Sequence, residues 1–228
     1  MQQSKQCPFE DANLDITNLS QPIQCPFHAH ASALSPSITT RVELSVQALT
    51  FQATSSSAAL LKDIGGGDKI RELCTRFYAR AFKDDQLKTF FFEEDGARAH
   101  GQRLADWIIQ KMGGEGQPWT DSGRWGMRQR SHYKAWNCEK RDVSVRGNHF
   151  NLMDTRTWMR LHFWAARECH LHLHTAFWQW YIDFIKHFIA IYERRASRYA
   201  KQDAAWSKEK RNLDKYVDDG YYMKDLVE

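Results

Sequence analysis

The sequence predicts an all-α fold for the central part of this 228-residue chain. Between residues 60 and 200, apolar side chains recur every three to four residues, which is typical of helices with one buried face. The same segment shows none of the apolar–polar alternation of a half-buried strand. Apolar residues make up 42% of the chain, and its nine Trp, thirteen Phe and eight Tyr could fill a helical core or line a pocket for a flat ligand.

Four helices follow from this periodicity. The first begins after the glycines at 65–67, which can turn the chain, with Asp68 placed to cap the helix. The second spans about 97–112 and ends at Gly113-Gly114. The third and fourth helices are predicted over 154–168 and about 175–199, each with an apolar stripe at the helical period.

The two ends of the chain have a different character. Residues 1–60 are rich in Ser, Thr and Gln and lack a helical period. We expect them to form a largely disordered extension with one short helix near 42–51. Residues 201–228 are charged and poorly periodic, and we expect a loosely ordered tail. The predicted globular domain is therefore 61–200.

Charge and cysteine content restrict the function classes. The net charge of +4 is modest for a nucleic-acid-binding protein. The sequence contains no run of eighteen apolar residues, so no membrane span is expected. The first residues lack an apolar signal core, and no basic residue lies between Lys5 and Arg41, so neither a secretory signal nor a mitochondrial presequence is expected. Five scattered cysteines argue against a disulfide framework and favour the cytoplasm.

A set of motifs, in order and at characteristic spacing, resembles the truncated haemoglobins, and within them the second group. The motifs are the glycine-led helix of 64–78 ending in Phe77-Tyr78, Arg103-Leu104 with Trp107 and Met112-Gly113-Gly114, the aromatic Trp119, His132, and Asp154 with Trp158-Met159. The resemblance covers about 62–198. It implies that 61–200 is a truncated, 2-over-2 globin domain that binds haem b.

The chain departs from the family pattern around His132. Ser131 stands where the second group usually has Arg, and Tyr133-Lys134-Ala135-Trp136 replaces a Pro-Phe pair. The segment between His132 and Trp158 is longer than usual, which predicts a long loop between the proximal helix and the next one. His149 lies in this segment and is a rival ligand.

The resemblance implies that His132 is the proximal ligand of the haem iron. A neutral imidazole is a strong axial ligand for haem iron. Arg128 and Arg130 lie near it in the sequence, as does Lys134, and such cations can pair with the haem propionates.

The resemblance also places Tyr78 and Trp158 over the iron, where a hydroxyl and an indole N–H can donate hydrogen bonds to a bound ligand. His100 lies four residues before Leu104, hence on the same helix face, and is the third distal candidate. Phe91, or Phe90 one place earlier, would lie flat against the porphyrin. Leu104 and Trp107 would wall the distal cavity.

The implied function is binding of dioxygen, nitric oxide or another diatomic ligand. Polar distal pockets can also support nitric oxide dioxygenase or peroxidase-type chemistry, and whether the chain is an enzyme stays open. The sequence has no flavin or nicotinamide domain, so turnover would need an external electron donor. The alternative is a helical nucleic-acid-binding module that uses the basic, aromatic segment 124–146. Acidic residues nearly balance the basic ones and no nucleic-acid motif frames that segment, so nucleic acid is not the expected partner.

Overall fold

The computed structural model describes residues 41–47 and 50–226 of the chain. Within them, nine α-helices and one two-stranded sheet confirm the predicted all-α class. The helices are α1 (Ser55–Asp63), α2 (Gly67–Ala81), α3 (Gly96–Met112), α4 (Pro118–Asp121), α5 (Met127–Trp136), α6 (Leu152–Glu168), α7 (Thr175–Ala190), α8 (Ala200–Trp206) and α9 (Lys210–Asp218). The strands are β1 (Ser45–Gln47) and β2 (Thr50–Gln52), and short 3₁₀ turns occupy Lys88–Phe90, Leu171–Leu173 and Arg194–Tyr199.

Helices α2 and α3 form the most extensive helix pair of the fold. Gly101 of α3 allows their close approach, since a Cβ at this position would lie 3.0 Å from both the Cα and the N of Thr75 in α2. Helix α2 begins after Gly66, whose positive φ of 79° suits a residue without a side chain. The predicted helix over 97–112 is confirmed as α3.

Helix α6 lies at the centre of the fold, with most of its residues buried. A capping box starts it: the Asn151 side chain accepts from the Asp154 N–H, and the Asp154 carboxylate accepts from the Asn151 N–H, both at 2.8 Å. The prediction of a helix over 154–168 is confirmed.

The predicted fourth helix is too long. Helix α7 ends at Ala190, and the chain turns at Tyr192 before the 3₁₀ turn Arg194–Tyr199. Glu193 is extended, with φ −142°, and its carboxylate accepts from the Arg195 N–H, so it caps the 3₁₀ turn instead of continuing the helix.

The expected short helix near 42–51 is wrong, because the described residues of this stretch include the two paired antiparallel strands β1 and β2. Val46 pairs with Phe51 across the two strands. Phe51 is 1% exposed and meets the rings of Trp180 and Phe184 edge-on, at centroid distances of 5.9 and 5.8 Å. Packing of one aromatic ring into the core therefore outweighs the weak helical signal of the segment.

The expectation of a loosely ordered C-terminal tail is also wrong. Helices α8 and α9 pack on the core through Ala204, Trp206 and Tyr216. The Tyr216 hydroxyl donates to Asp84 at 2.7 Å, and this buried carboxylate also accepts from the N–H groups of Gln86 and Leu87. The C-terminal helices therefore hold the turn that follows α2.

A buried ionic network ties α8 to α6. Asp203 is fully buried and accepts from the guanidinium groups of Arg156, at 2.9 and 3.2 Å, and of Arg160, at 3.0 Å. Arg160 also donates to Asp225 at 3.0 Å. Two buried cations thus meet two carboxylates, one of which has no access to solvent.

The loop between α5 and α6, at 137–151, is long, as predicted. Its buried Arg141 donates to the carbonyls of Trp136 and Asn148, at 2.6 and 2.7 Å, and lies 4.4 Å from the centroid of the Phe90 ring. Lys140 donates to the carbonyl of Phe91 at 2.9 Å. The loop therefore bridges α5 and the turn that carries the two phenylalanines.

Several sequence predictions concern residues or properties that the structure describes only in part. The disorder predicted for 1–40 lies outside the described residues. Within the described part, none of the helices combines the length and apolar character needed to cross a membrane. Cys74, Cys138 and Cys169 are buried free thiols. The division into three domains stays a prediction.

We expect Asp203→Asn to lower the free energy of unfolding by about 3–5 kcal/mol, because Arg156 and Arg160 would keep their buried charges without this partner. Urea unfolding followed by far-ultraviolet circular dichroism measures the change. Asp214→Asn is the matched control. It breaks an exposed pair with Lys210, which should contribute only about 0–1 kcal/mol. Equal effects of the two substitutions would contradict a stabilising role of the network.

Candidate functional site

A cavity of about 230 Å³ lies between α2, α3, α5, α6 and α7. Eight of the residues predicted from the sequence to form a ligand site line it. They are Tyr78, Phe91, His100, Leu104, Trp107, Arg128, His132 and Trp158. Side chains that lie far apart in the sequence therefore meet at one cavity. Tyr78 and His132, for example, are separated by 54 positions.

His132 reaches the cavity from α5. Its ring meets those of Tyr192 and Phe150 edge-on, at centroid distances of 4.5 and 5.7 Å. Its Nδ1 is buried and has no hydrogen-bond partner among the described residues. Burial, with a smaller contribution from the positive charge of Arg128, lowers the pKa of His132 to about 3. The ring is therefore neutral at physiological pH, as a metal ligand must be.

This shift has a defined consequence for stability. The folded-state pKa lies below the ordinary value of 6.5. Stability that depends on a neutral His132 is therefore fully present above pH 6.5 and is lost as the pH falls toward 3.

Arg128 precedes His132 by one turn of α5 and lines the same cavity. Its guanidinium lies 4.5 Å from the ring centroids of both Trp107 and Phe188, and 5.2 Å from that of Tyr192. No carboxylate of the described residues pairs with it, and burial lowers its pKa. A cation held among aromatic rings without a counter-charge favours binding of an anionic group from a ligand.

Arg130, which the sequence analysis names as a candidate partner of a haem propionate, does not line the cavity. It is exposed and is absent from the cavity lining, since it follows Arg128 by two residues and so points to another face of α5. The structure gives no support to Arg130 as a haem contact. Arg124, six residues earlier, does line the cavity.

His149, the rival ligand, also lies outside the cavity lining. It is exposed and stacks on Trp136 at a centroid distance of 4.0 Å. Its position in the 137–151 loop places it on the outer side of α5, so the geometry favours His132.

The distal candidates Tyr78 and His100 are neighbours across α2 and α3, with ring centroids 5.3 Å apart. Burial raises the pKa of Tyr78, so its hydroxyl keeps its proton and can donate. His100 Nδ1 lies 3.1 Å from the Gly96 carbonyl and 3.1 Å from Asp95. Burial, and then Arg103, lower the pKa of His100, which leaves a neutral ring held through Nδ1.

Trp158 lines the cavity from α6. Its ring contacts that of His162, one turn further along the helix, at a centroid distance of 3.9 Å and an interplanar angle of 33°. Phe77 stands edge-on to Trp158 at 5.6 Å. The indole is thus held in place by two rings of the wall.

The apolar residues named from the sequence lie in the wall of this cavity. Phe91 stacks on Phe82 at a centroid distance of 4.3 Å and an interplanar angle of 7°. Phe90 lines the cavity too, so the alternative between the two phenylalanines stays open. Trp107 packs edge-on against Phe188 at 4.6 Å, and Leu104 lies between Trp107 and His100 on the same face of α3.

Several polar residues of the lining are not among the predicted site residues. Arg103 pairs with Glu93 at 2.6 Å and also with Asp95, at the distal rim. The Tyr192 hydroxyl is buried without a partner among the described residues, and burial raises its pKa to about 12. His162 and Asp154 of α6 also line the cavity. Arg103 and Asp154 belong to the quoted motifs, and Tyr192 follows Phe188 by four residues on the predicted fourth helix, so spacing could have pointed to these three.

Residues 59–152 of the chain match the family model described as bacterial-like globin. The match supports a globin. It includes Tyr78, His100, Arg128 and His132 and ends six residues before Trp158. No curated protein and no solved structure matches the chain significantly.

Together with the nine helices, the match shows a globin-like all-α fold and supports haem binding. The residues of the cavity fit such a cofactor. A neutral imidazole without protein hydrogen bonds is available to iron, an arginine without a counter-ion is available to a propionate, and flat aromatic rings line the space between them. Helix α6 beyond residue 152 lies outside the family match, so its part in the site rests on the cavity geometry alone.

Proposed function

We propose that this chain binds haem b through His132 and takes up dioxygen, nitric oxide or another diatomic ligand on the side of Tyr78, His100 and Trp158. The observation that carries the proposal is the neutral, half-buried ring of His132 in the wall of an aromatic cavity, whose buried Nδ1 has no partner among the described residues. Haem iron supplies the binding of diatomic gases when the cofactor is bound.

The proximal residues hold the cofactor in this proposal. His132 ligates the metal, and the rings of Tyr192 and Phe150 fix the plane of its imidazole. Arg128 pairs with a haem propionate, which gives its charge the counter-ion that the described chain does not provide. Phe91, Leu104 and Trp107 exclude water and contact the flat face of the ring system.

The distal residues stabilise the ligand. The Tyr78 hydroxyl and the Trp158 indole N–H are donors, and the pKa of Tyr78 is raised, so this proton stays on the oxygen. His100 is neutral and oriented by the Gly96 carbonyl, which makes it a third polar group of the wall. Donors in a cavity poor in water stabilise the partial negative charge that a diatomic ligand acquires.

Redox chemistry of the nitric oxide dioxygenase or peroxidase type belongs to the same proposal, because both use distal donors of this kind. Turnover would require an external electron donor. Membership of the second group of truncated haemoglobins, with its 2-over-2 arrangement, is likewise proposed from the motifs of 62–198.

The nucleic-acid alternative has a weaker basis in the structure. The segment 124–146 does not form one basic, aromatic face. Trp125 and Tyr133 are exposed, at 79% and 64%, but Trp136 is buried and Arg128 lines the cavity. Stacking side chains and cations therefore point in different directions.

We expect His132→Ala to abolish or strongly weaken the intense absorption at the violet edge of the visible spectrum after reconstitution with haemin. Free imidazole should partly restore the ligation, because it fits the space left by the side chain. Absorption spectra of the ferric, ferrous and carbon monoxide forms measure both effects. His149→Ala is the control and should keep the wild-type spectra. Loss of the band in His149→Ala alone would assign the iron to the rival ligand.

We expect Arg128→Met to release haem about tenfold faster or more, because a charge-assisted hydrogen bond contributes about 1.5–3 kcal/mol. Methionine keeps much of the apolar stem that packs against Trp107 and Phe188. Transfer of haem to excess apomyoglobin measures the rate. Arg130→Met, two residues along on the exposed face, should leave the rate unchanged. A larger effect at Arg130 would contradict the proposed propionate contact.

We expect Tyr78→Phe to speed release of dioxygen from the ferrous protein by about 10- to 150-fold, since it removes a donor worth about 1.5–3 kcal/mol to a charged acceptor. Stopped-flow displacement of dioxygen by carbon monoxide measures the dissociation rate. Tyr133→Phe makes the same change on the outer face of α5 and should have no effect. An unchanged rate in Tyr78→Phe would remove this hydroxyl from the ligand site.

A further inference from the structure

Arg124 lies in the turn between α4 and α5 and lines the cavity together with Arg128. Backbone hydrogen bonds hold this turn on both sides. The Arg124 N–H donates to the Trp119 carbonyl at 3.2 Å, and the Arg124 carbonyl accepts from the Met127 N–H at 2.9 Å. The next residue, Trp125, is 79% exposed. The turn therefore directs Arg124 to the cavity and its neighbour to solvent.

The other charged side chains of the described cavity lining already have partners. Arg103 pairs with Glu93 at 2.6 Å, so these two charges neutralise each other at the distal rim. Asp154 accepts from the Asn151 N–H at 2.8 Å and from the side-chain amide of Gln86, which holds its carboxylate at the start of α6. These elements of the wall therefore offer no free cation to an anionic ligand.

Arg124 and Arg128 differ from these residues, since neither is paired with a carboxylate of the described chain. Arg124 is half-buried, so part of its surface stays accessible to a ligand. The other two basic side chains near His132 in the sequence do not share this position. Arg130 is exposed, and Lys134 is exposed and lies 5.7 Å from the centroid of the Phe92 ring, and both are absent from the lining. The free positive charges of the cavity are thus those of Arg124 and Arg128.

We propose that Arg124 and Arg128 form a two-cation site for two carboxylates of the molecule that fills this cavity, one carboxylate for each guanidinium. Haem b has this chemistry, because its two propionates leave the same edge of a flat aromatic ring system, and guanidinium groups are well suited to carboxylates. The site also sets the orientation of the cofactor. Its anionic edge is placed at the turn between α4 and α5, where the described lining includes no carboxylate. The assignment of Arg124 rests on the proposed function.

Haemin and its dimethyl ester test this site, because the ester keeps the iron and the flat ring system but has no propionate charge. We expect Arg124→Met to release haemin about three- to tenfold faster than the wild type, and to release the ester at the wild-type rate. Transfer to excess apomyoglobin measures both rates. Arg124→Lys keeps the charge and should lie between the wild type and Arg124→Met. Arg130→Met is the matched control on the exposed face and should change neither rate.

The double variant Arg124→Met/Arg128→Met distinguishes two separate contacts from a shared one. If each guanidinium binds its own carboxylate, the two effects on the rate of haemin release multiply. A double variant no faster than Arg128→Met alone would overturn the assignment of one carboxylate to each arginine. Equal acceleration of haemin and ester release by Arg124→Met would also overturn it, since Arg124 would then act through packing. Far-ultraviolet circular dichroism of the haem-free variants checks that they are folded.

The same experiment separates this assignment from the proposed function. If the wild type binds neither haemin nor the ester, the proposed function fails, and the two-cation site fails with it. If the wild type binds both and Arg124→Met releases both at the wild-type rate, haem binding stands and only the role of Arg124 is overturned.

Discussion

The partial burial of the imidazole of His132 is the constraint on which the site depends. Burial lowers the pKa of this ring to about 3, so it is neutral, and its Nδ1 has no hydrogen-bond partner among the described residues. Aromatic rings of the same wall hold Arg128 without a carboxylate. A protein interior seldom keeps both groups in this form unless a ligand satisfies them, because an unpaired polar group costs free energy on burial.

The C-terminal helices matter to the cavity although they do not line it. Asp203 of α8 binds two arginines of α6, the helix that carries Trp158 and His162 into the wall. The Tyr216 hydroxyl of α9 donates to the carboxylate of Asp84, which also accepts from the N–H groups of Gln86 and Leu87 in the turn before Phe90. Helices α8 and α9, in the segment expected to be a charged tail, therefore fix the positions of α6 and of the turn before Phe90, which both contribute to the cavity wall.

The face of α3 that lines the cavity could be predicted from the sequence, because helix faces obey simple spacing. His100, Leu104 and Trp107 share a face of that helix whatever the tertiary arrangement. His132 and Arg128 follow from the family resemblance instead, since no helical period marks the sequence around them. The pairing of β1 with β2 could not be predicted, since it is stabilised by the contacts of Phe51 with residues far away in the sequence. Helices α8 and α9 were missed because Asp203 is a buried charge, and a hydrophobic pattern gives no sign of a buried ion pair. The sequence does not distinguish Arg130 from Arg128, because nearby basic residues look alike, while the turn of the helix places the two on different faces.

The loop at 137–151 has a mechanical consequence. It begins at the end of the helix that bears His132, and its Arg141 and Lys140 are bonded to the segment of Phe90 and Phe91. A displacement of α5 would therefore be passed by this loop to the segment of Phe90 and Phe91, which also lines the cavity. Two parts of the wall are thus mechanically coupled through the chain itself, without passing through the contents of the cavity.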